Sequence, residues 1–288
     1  MSTKRHLQYR KLKSKVMLGL SVVALLVAVV PLGAILYMVL KNGLSAISWT
    51  FLTSLPVPPM SGGGGGVRNA IVGTMAVVIV SSVISIPVGI LAGIYLNEYG
   101  DNVFGRTVRF TTEVLSGLPS IISGVVVYGL LVVWMGDVST LAGGVALSLL
   151  SIPWITVATE DALDLVPQAH RDASLALGVN RTRTVLWVVF PSALGGIVTG
   201  TMLAVARVAG ETAPLLWTVG NSQFAFHGFL KQTATLSVTI YAYATSPYDT
   251  WHQQAWGAAL LLVTFILVTN VAARTLWNAR QRKLQGDR

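Results

Sequence analysis

Charged residues and cysteines are scarce or absent in this 288-residue chain, and each shortage excludes a class of protein. Only 11% of the residues are charged, against about a quarter in an ordinary soluble domain, while 53% are hydrophobic. This composition predicts an integral membrane protein. The chain has no cysteine, which excludes disulfide bonds, thiolate nucleophiles and zinc-thiolate sites but does not identify a compartment.

Motifs that carry chemistry are also missing. Five glycines occupy residues 62–66, but no Gly-Lys-Ser or Gly-Lys-Thr follows them, so we interpret this run as a flexible loop and not as a phosphate-binding P-loop. No two carboxylates are placed to share a catalytic task, and the four histidines are scattered along the chain: His6, His170, His227 and His252. We therefore expect no enzymatic activity, no cofactor and no metal site, and any energy from ATP must come from a partner.

Acidic residues are absent from the first 97 positions, whereas six Lys and Arg residues crowd the first 15. A basic arm of this kind stays on the cytoplasmic side of a membrane. The basic residues flank apolar segments instead of forming an aromatic-rich surface, so we expect contact with anionic lipid and no binding to nucleic acid.

Six apolar segments are each long enough to cross a bilayer as a helix. They lie at residues 16–40, 70–96, 114–135, 138–159, 194–219 and 255–273. With the N terminus inside, 16 of the 20 Lys and Arg residues fall on the cytoplasmic side, which supports the number of spans and their orientation. The sequence thus predicts an all-α, multi-pass protein with both termini in the cytoplasm.

The domain organisation follows from these spans. We predict a basic arm at 1–15, a first span at 16–40, an outer loop at 41–69, a core of five spans at 70–276 and a cytoplasmic tail at 277–288. Prolines near the spans predict kinks or breaks, and two glycine pairs predict close helix contacts. These residues are Pro87, Pro119, Pro153 and Pro214, with Gly89 and Gly93, and Gly196 and Gly200.

Two charges interrupt the fifth apolar segment, at Arg207 and Glu211. A charge at mid-membrane depth costs about 2.5 to 3.5 kcal/mol, so it persists mainly where it faces a pathway, a partner or a countercharge. Four residues apart on one helix, the two side chains would share a face. We expect this pair to line the path of a substrate, the alternative being an ion pair that only fixes helix packing.

The cytoplasmic loop 160–193 predicts a helix, a turn and a second helix. Pro167 favours a helix over 168–177, Gly178 ends it, and Asn180 caps a second helix that we expect to end before Pro191. The first helix has small and apolar residues on one face, which suits docking into a groove of another protein. The second helix is too apolar to enter a DNA groove.

This loop resembles the EAA loop of ABC-importer permeases, whose pattern is Glu-Ala-Ala, three residues, Gly, nine residues, Ile, one residue, Leu-Pro. Here the pattern reads Asp172-Ala173-Ser174, then Gly178, then Val188, and Phe190-Pro191, with conservative departures at four positions. The resemblance implies a fold like that of type I ABC-importer permeases, in which the first short helix couples an ATPase subunit to the membrane helices. The residues that it assigns to this coupling are Arg171, Asp172, Ala173, Ser174 and Gly178.

Three further segments resemble the PstA-type permease subunit of phosphate importers. They begin at Gly66, Leu115 and Ala206, the last reading Ala-Arg-Val-Ala-Gly-Glu-Thr-Ala-Pro-Leu-Leu. The resemblance implies that Arg207, Glu211 and Thr212 belong to the substrate pathway and that phosphate is the substrate. It also implies a bacterial or archaeal cytoplasmic membrane and three kinds of protein partner: a companion PstC-type permease, two ATPase subunits and a periplasmic or lipid-anchored phosphate-binding protein.

Two alternatives remain open at this point. A permease for sulfate or molybdate would share the EAA-like loop and the six spans but not the segment that contains Arg207. A membrane scaffold or sensor would not need a docking loop.

Overall fold

The computed structural model describes residues 2–61 and 65–286, and within these ranges all regular secondary structure is helical, without strands. The first three glycines of the predicted flexible loop, residues 62–64, lie outside the described residues. The helices are α1 (Ser2–Ala46), α2 (Trp49–Thr53), α3 (Arg68–Tyr99), α4 (Val103–Gly117), α5 (Ser120–Met135), α6 (Thr140–Asp164), α7 (Gln168–Ala176), α8 (Arg181–Ala209), α9 (Ala213–Thr218), α10 (Leu236–Ala244) and α11 (Asp249–Gly286). One 3₁₀ turn covers Pro59–Ser61, and π-helical turns lie within α5 at Tyr128–Val132 and within α8 at Val185–Val189.

In the described part of the chain, five helices are long and apolar enough to cross a membrane, namely α1, α3, α6, α8 and α11. The third predicted span, 114–135, contains α5 and only the end of α4, because α4 begins within the predicted cytoplasmic loop 97–113. Helices α4 and α5 together pass the same test, but they meet at an angle of 107°. The break falls at Leu118 and Pro119, because proline disfavours the helical conformation in the residue before it. Counting the bent pair once gives the six predicted spans.

Helix α6 is the centre of the packing, with α3 and α8 against it. Both predicted glycine pairs contact this helix, and each glycine faces a side chain that a Cβ atom would touch: Gly89 faces Ile155, Gly93 faces Thr159, Gly196 faces Ala162 and Gly200 faces Ala158. On Gly93, a Cβ would lie 2.6 Å from that of Thr159. Glycine therefore lets these helices approach more closely than any other residue would allow.

Helix α1 packs against α11 and leaves most of its apolar side chains exposed. Such a surface fits lipid contact, as expected for a peripheral first span. The helix also continues to Ala46, six residues beyond the predicted end of the span.

Two predictions about the fifth span are wrong. The helix that begins at Arg181 does not end before Pro191 but runs through it to Ala209, because the π-helical turn at Val185–Val189 absorbs the distortion that proline introduces. The predicted span 194–219 is not one helix either. It breaks after Ala209 and resumes as α9 at Ala213.

The outer end of the bundle is closed by the segment 219–235, which has no regular structure and leads into α10. Its carbonyl groups at Phe229 and Lys231 accept hydrogen bonds from the amides of Leu141 and Thr140, at 2.8 and 3.0 Å. These amides belong to the first turn of α6, where no partner exists within the helix. The segment is thus held against the bundle by the backbone itself.

Candidate functional site

The predicted coupling helix is α7, and its end has the geometry that the sequence indicates. Gly178 has a φ of 79°, the amide of Gly178 bonds to Leu175 O at 2.9 Å, and the amide of Val179 bonds to Ser174 O at 3.3 Å. These two bonds form a Schellman motif, which favours glycine at the residue with positive φ. Asn180 then caps α8 by accepting the amide of Arg183 at 2.9 Å. The predicted turn between the two helices is confirmed.

One face of α7 is exposed to solvent in the described part of the chain. The exposed residues include Ala169, Ala173 and Leu177, and the side chain of Leu177 is 84% exposed. Asp172 is also exposed and accepts a hydrogen bond from Gln168 at 3.3 Å. Exposed small and apolar residues on a short helix outside the spans fit a docking surface for a second protein.

The opposite face of α7 is fixed by an acid that the sequence analysis did not select. The Arg171 guanidinium is ion-paired with the Glu98 carboxylate at the end of α3, and it donates further bonds to Asn97 Oδ1 at 3.1 Å and Leu163 O at 3.3 Å. Arg181 joins the same carboxylate, with Nε 3.6 Å from Oε2. Burial of the guanidinium, and then the nearby charge of Arg181, lower the pKa of Arg171.

Ser174, also predicted as a coupling residue, is buried and hydrogen-bonded to the Thr184 hydroxyl of α8 at 2.9 Å. Helix α7 is therefore bonded through side chains to both α3 and α8. Beside these contacts lies a polar cavity of about 390 Å³, whose lining includes Asn97, Glu98, Asp164, Gln168, Arg171 and Arg181.

The predicted substrate residues occupy a break between helices and not a helical face. Arg207 lies in the last turn of α8, whereas Glu211 and Thr212 lie between α8 and α9. Among the described residues, no ion pair joins Arg207 to Glu211. The prediction that the two share one helix face is wrong, because the helix ends before Glu211 is reached.

Arg207 instead lies over an aromatic ring, with its Cζ 4.3 Å from the centre of the Trp154 ring. Both side chains are exposed in the isolated chain. Trp154 lies 14 residues from the outer end of α6 and 10 from its inner end, or about 21 and 15 Å at the rise of an α-helix. The guanidinium is therefore open to the outside of the chain near the middle of the membrane.

The break that carries Glu211 is held from two sides. The Glu211 carbonyl accepts the Ser237 hydroxyl at 3.0 Å, which connects the break to α10. Helix α5 approaches α9 so closely that a Cβ on Gly124 would lie 2.6 Å from the Pro214 Cα. Thr212 precedes α9 without using its side chain as a cap. Contacts with α5 and α10 thus hold the break in place directly after the helix that carries Arg207.

Two residues of this description were missed by sequence reasoning. Glu98 is the first acidic residue of the chain and lies at the inner end of the second span. This position is the one feature of the sequence that could have indicated its importance. Its partner Arg171 lies 73 residues away, so no local spacing indicates the pair. Trp154 offers no signal among the other apolar residues of its span. Within residues 2–61 and 65–286, no three His, Asp or Glu side chains are grouped to hold a metal.

The family model described as "Binding-protein-dependent transport system inner membrane component" matches residues 85–282. Among known proteins, the "Phosphate transport system permease protein PstA" of Haemophilus influenzae is 38% identical over 285 residues, covering 98% of this chain and 100% of that protein. The protein of the same name from Pasteurella multocida is 37% identical, covering 96% and 99%. A "Probable phosphate transport system permease protein PstA" of Methanocaldococcus jannaschii is 34% identical, covering 95% and 97%.

Solved structures agree on the fold. A chain of the MetNI methionine ABC transporter in an inward-facing conformation superposes with a TM-score of 0.58 at 22% identity, covering 74% of this chain and 94% of that chain. An amino acid ABC transporter solved with histidines gives a TM-score of 0.52 at 14% identity, covering 75% and 92%.

Proposed function

The chain belongs to the family of inner membrane components of binding-protein-dependent transport systems, and from this membership we propose that it forms half of the translocation pathway of an ATP-driven phosphate importer. It is a multi-pass protein of the cytoplasmic membrane with the fold of ABC-importer permeases. The relatives that match almost its entire length are named as phosphate permeases, which supports phosphate as the substrate.

The observation that carries the proposal is the exposed Arg207 near the middle of the membrane. A guanidinium facing lipid there would cost several kcal/mol, whereas a guanidinium facing a companion subunit or a water-filled path would not. The chain thus needs a second permease to cover this face. The pathway lies between the two subunits, with Arg207 on its wall.

Arginine suits phosphate because its planar guanidinium offers paired donors to two oxygens of the anion. Stacking on Trp154 holds the group in place without occupying all of its donors. Since Glu211 forms no ion pair with it, the positive charge of Arg207 remains available to the anion. Glu211 and Thr212 line the adjacent break, and the negative charge of Glu211 limits how tightly phosphate is held.

Energy enters through α7. The chain has no nucleotide-binding motif, so hydrolysis takes place on two partner ATPase subunits and this chain is not itself an enzyme. The exposed face with Ala169, Ala173 and Leu177 docks in a cleft of one ATPase subunit. Closure of the ATPase pair moves α7, the spans rearrange to open outward, and a binding protein delivers phosphate from outside.

We would test the function with phosphate uptake into proteoliposomes that contain this chain, its companion permease and the ATPase, supplied with the binding protein. ATP-dependent uptake of labelled phosphate that resists excess sulfate supports the proposal. The Arg207→Gln variant is expected to lose uptake, while Arg106→Gln, a matched change at an exposed arginine of α4, is expected to keep it.

Competition separates the alternatives. If excess sulfate or molybdate abolished the uptake and was itself transported, the chain would be a permease for another oxyanion. If an intact complex hydrolysed ATP and carried none of the three anions, the transport proposal would be wrong.

A further inference from the structure

Glu98 is an acid buried between three helices. Its side chain is 4% exposed, and it lies one residue before the end of α3, where Arg171 of α7 and Arg181 of α8 converge on it. The Arg181 guanidinium also donates to the Glu98 backbone carbonyl and lies over the Tyr99 ring, 4.8 Å from its centre. Two cations from two elements thus share a single buried carboxylate. Packing alone does not require such an arrangement, because apolar side chains would fill the same space at less desolvation cost.

Arg171 attaches α7 to α3 through its ion pair with Glu98 and through its hydrogen bond to Asn97 Oδ1 at 3.1 Å. At its start, α7 is joined to α6 by residues 165–167, and at its end it is joined to α8 by the turn at 177–180 and by the hydrogen bond between Ser174 and Thr184. These attachments join α7 to α6 and α8 but not to α3, which is the third neighbouring span. The contacts of Arg171 with Glu98 and Asn97 supply the attachment to α3, on the side opposite the exposed docking face, and the one with Glu98 is the ion pair.

The other end of α3 is bonded to the outer segment 219–235 and to the start of α10. The Asn69 side-chain amide donates to Ser222 O at 2.6 Å, and the amide of Leu236 donates to the Thr74 hydroxyl at 2.8 Å. Gly73 lies so close to this segment that a Cβ would be 1.9 Å from Ala234 O. Helix α3 is 32 residues long, or about 48 Å at the rise of an α-helix. It therefore connects the coupling helix with the outer surface.

We propose that Glu98 is a positioning residue that transmits the movement of α7 to α3, and through α3 to the outer segment 219–235. This inference rests on the proposed function, since it concerns how ATP hydrolysis and events at the outer surface are coupled. The contact between Glu98 and Arg171 acts in both directions. A movement of α3 that begins at the outer surface would therefore also displace α7 on the ATPase side. Coupling between sites is reciprocal in binding free energy.

The test uses the complete transporter in proteoliposomes with the Glu98→Gln variant, which keeps the size of the side chain and removes its charge. We expect ATP hydrolysis to continue, while phosphate taken up per ATP falls about fivefold or more, within the usual range of coupling between sites. The stimulation of hydrolysis by the binding protein above the basal rate is also expected to fall, but by less than the uptake. Glu98→Asp, which keeps the charge, should restore part of both.

Glu160→Gln is the matched control. Glu160 is also an acid at the inner end of a span and is ion-paired with Arg109 of α4 at 2.6 Å, but this pair does not involve α7. Its loss should leave the uptake per ATP unchanged. A general effect of removing one inner ion pair would appear in both variants.

A second variant tests the outer end of the connection. Asn69→Ala removes the bond to Ser222, and it too should lower the stimulation of hydrolysis by the binding protein. If Glu98 and Asn69 both act through α3, the double variant should lose less of the stimulation than the product of the two single fold-losses. Such non-additivity is the measure of coupling between distant positions.

Four results would overturn the inference: loss of the ATPase subunit from purified Glu98→Gln, equal falls of hydrolysis and uptake, an equal effect of Glu160→Gln, or independent effects of Glu98→Gln and Asn69→Ala. Failure of the phosphate proposal is distinguishable from these. In that case the unchanged protein would hydrolyse ATP under stimulation by the binding protein without phosphate uptake, and the effect of Glu98→Gln on stimulated hydrolysis would still decide the role of Glu98.

Discussion

Arg171 and Arg207 have opposite surroundings in the same fold. Arg171, at the inner end, is satisfied within the chain by Glu98, Asn97 and a backbone carbonyl. Arg207, near mid-membrane, is open to the outside and contacts the face of one ring. A cation whose partners all lie within the chain stabilises the fold. A cation without such partners at mid-membrane depth needs a companion subunit, water or an anion as its partner. Changes at the inner end should therefore affect stability and coupling, and changes at Arg207 should affect transport.

The largest expected effect is that of Arg207→Gln on transport. Hydrogen bonds to a charged group contribute about 1.5 to 3 kcal/mol, so losing them should lower phosphate uptake by about one to two orders of magnitude. The melting temperature of the purified complex should change little, because this exposed side chain forms no ion pair among the described residues and loses only its weak contact with the Trp154 ring. Arg207→Lys should recover only part of the uptake, since an ammonium does not reproduce the paired donors. Reduced assembly of Arg207→Gln would instead make the residue structural.

Gly93→Ala should have its main effect on stability. The new Cβ would lie 2.6 Å from the Thr159 Cβ and 2.7 Å from Thr156 O, so α3 and α6 would have to separate. Overpacking of this kind costs about 1 to 3 kcal/mol, which thermal unfolding in detergent would detect. Gly129→Ala is the control, since a Cβ there meets nothing within 4 Å. Equal melting temperatures for the two variants would contradict the close packing of α3 on α6.

Gly178→Ala tests the end of α7. A Cβ would meet nothing within 4 Å, so the cost comes from the backbone alone, about 1 to 2 kcal/mol for a non-glycine residue in the left-handed region. We expect weaker binding of the ATPase subunit, measured by its retention on the purified permease pair. Gly178→Asn should be milder, because asparagine tolerates this conformation. If the alanine and asparagine variants retained the ATPase subunit equally well, the positive φ at residue 178 would not be the reason for glycine there.

Trp154→Leu should have the smallest effect. A cation–π contact contributes about 0.5 to 1 kcal/mol at an exposed site, so uptake should fall by about two- to fivefold. The loss should be absent in an Arg207→Gln background, where no cation remains above the ring. An equal loss in both backgrounds would show that Trp154 acts through packing and not through Arg207.

Much of the fold could be predicted because its causes are local. The spans follow from long apolar runs, the turn at Gly178 from the need for positive φ, and the cap at Asn180 from its side-chain oxygen. Both glycine pairs were predicted to allow close contacts, although the sequence did not indicate that α6 is the helix that both pairs contact. Where the prediction was wrong, at Pro191 and after Ala209, a local rule was outweighed: a π-helical turn accommodates the proline, and contacts with α5 and α10 hold the break open.

By itself, the sequence determined the membrane class and the helix–turn–helix form of the loop 160–193, and it predicted the orientation and a role for Arg207, because hydropathy, charge placement and motif spacing all act over short stretches. Only the tertiary structure decided that Arg207 stacks on Trp154 and is not paired with Glu211, and that Glu98 receives Arg171 from 73 residues away. Such contacts depend on which helix ends meet in space. That is settled by the packing of α3, α6 and α8, which no single stretch of the chain encodes.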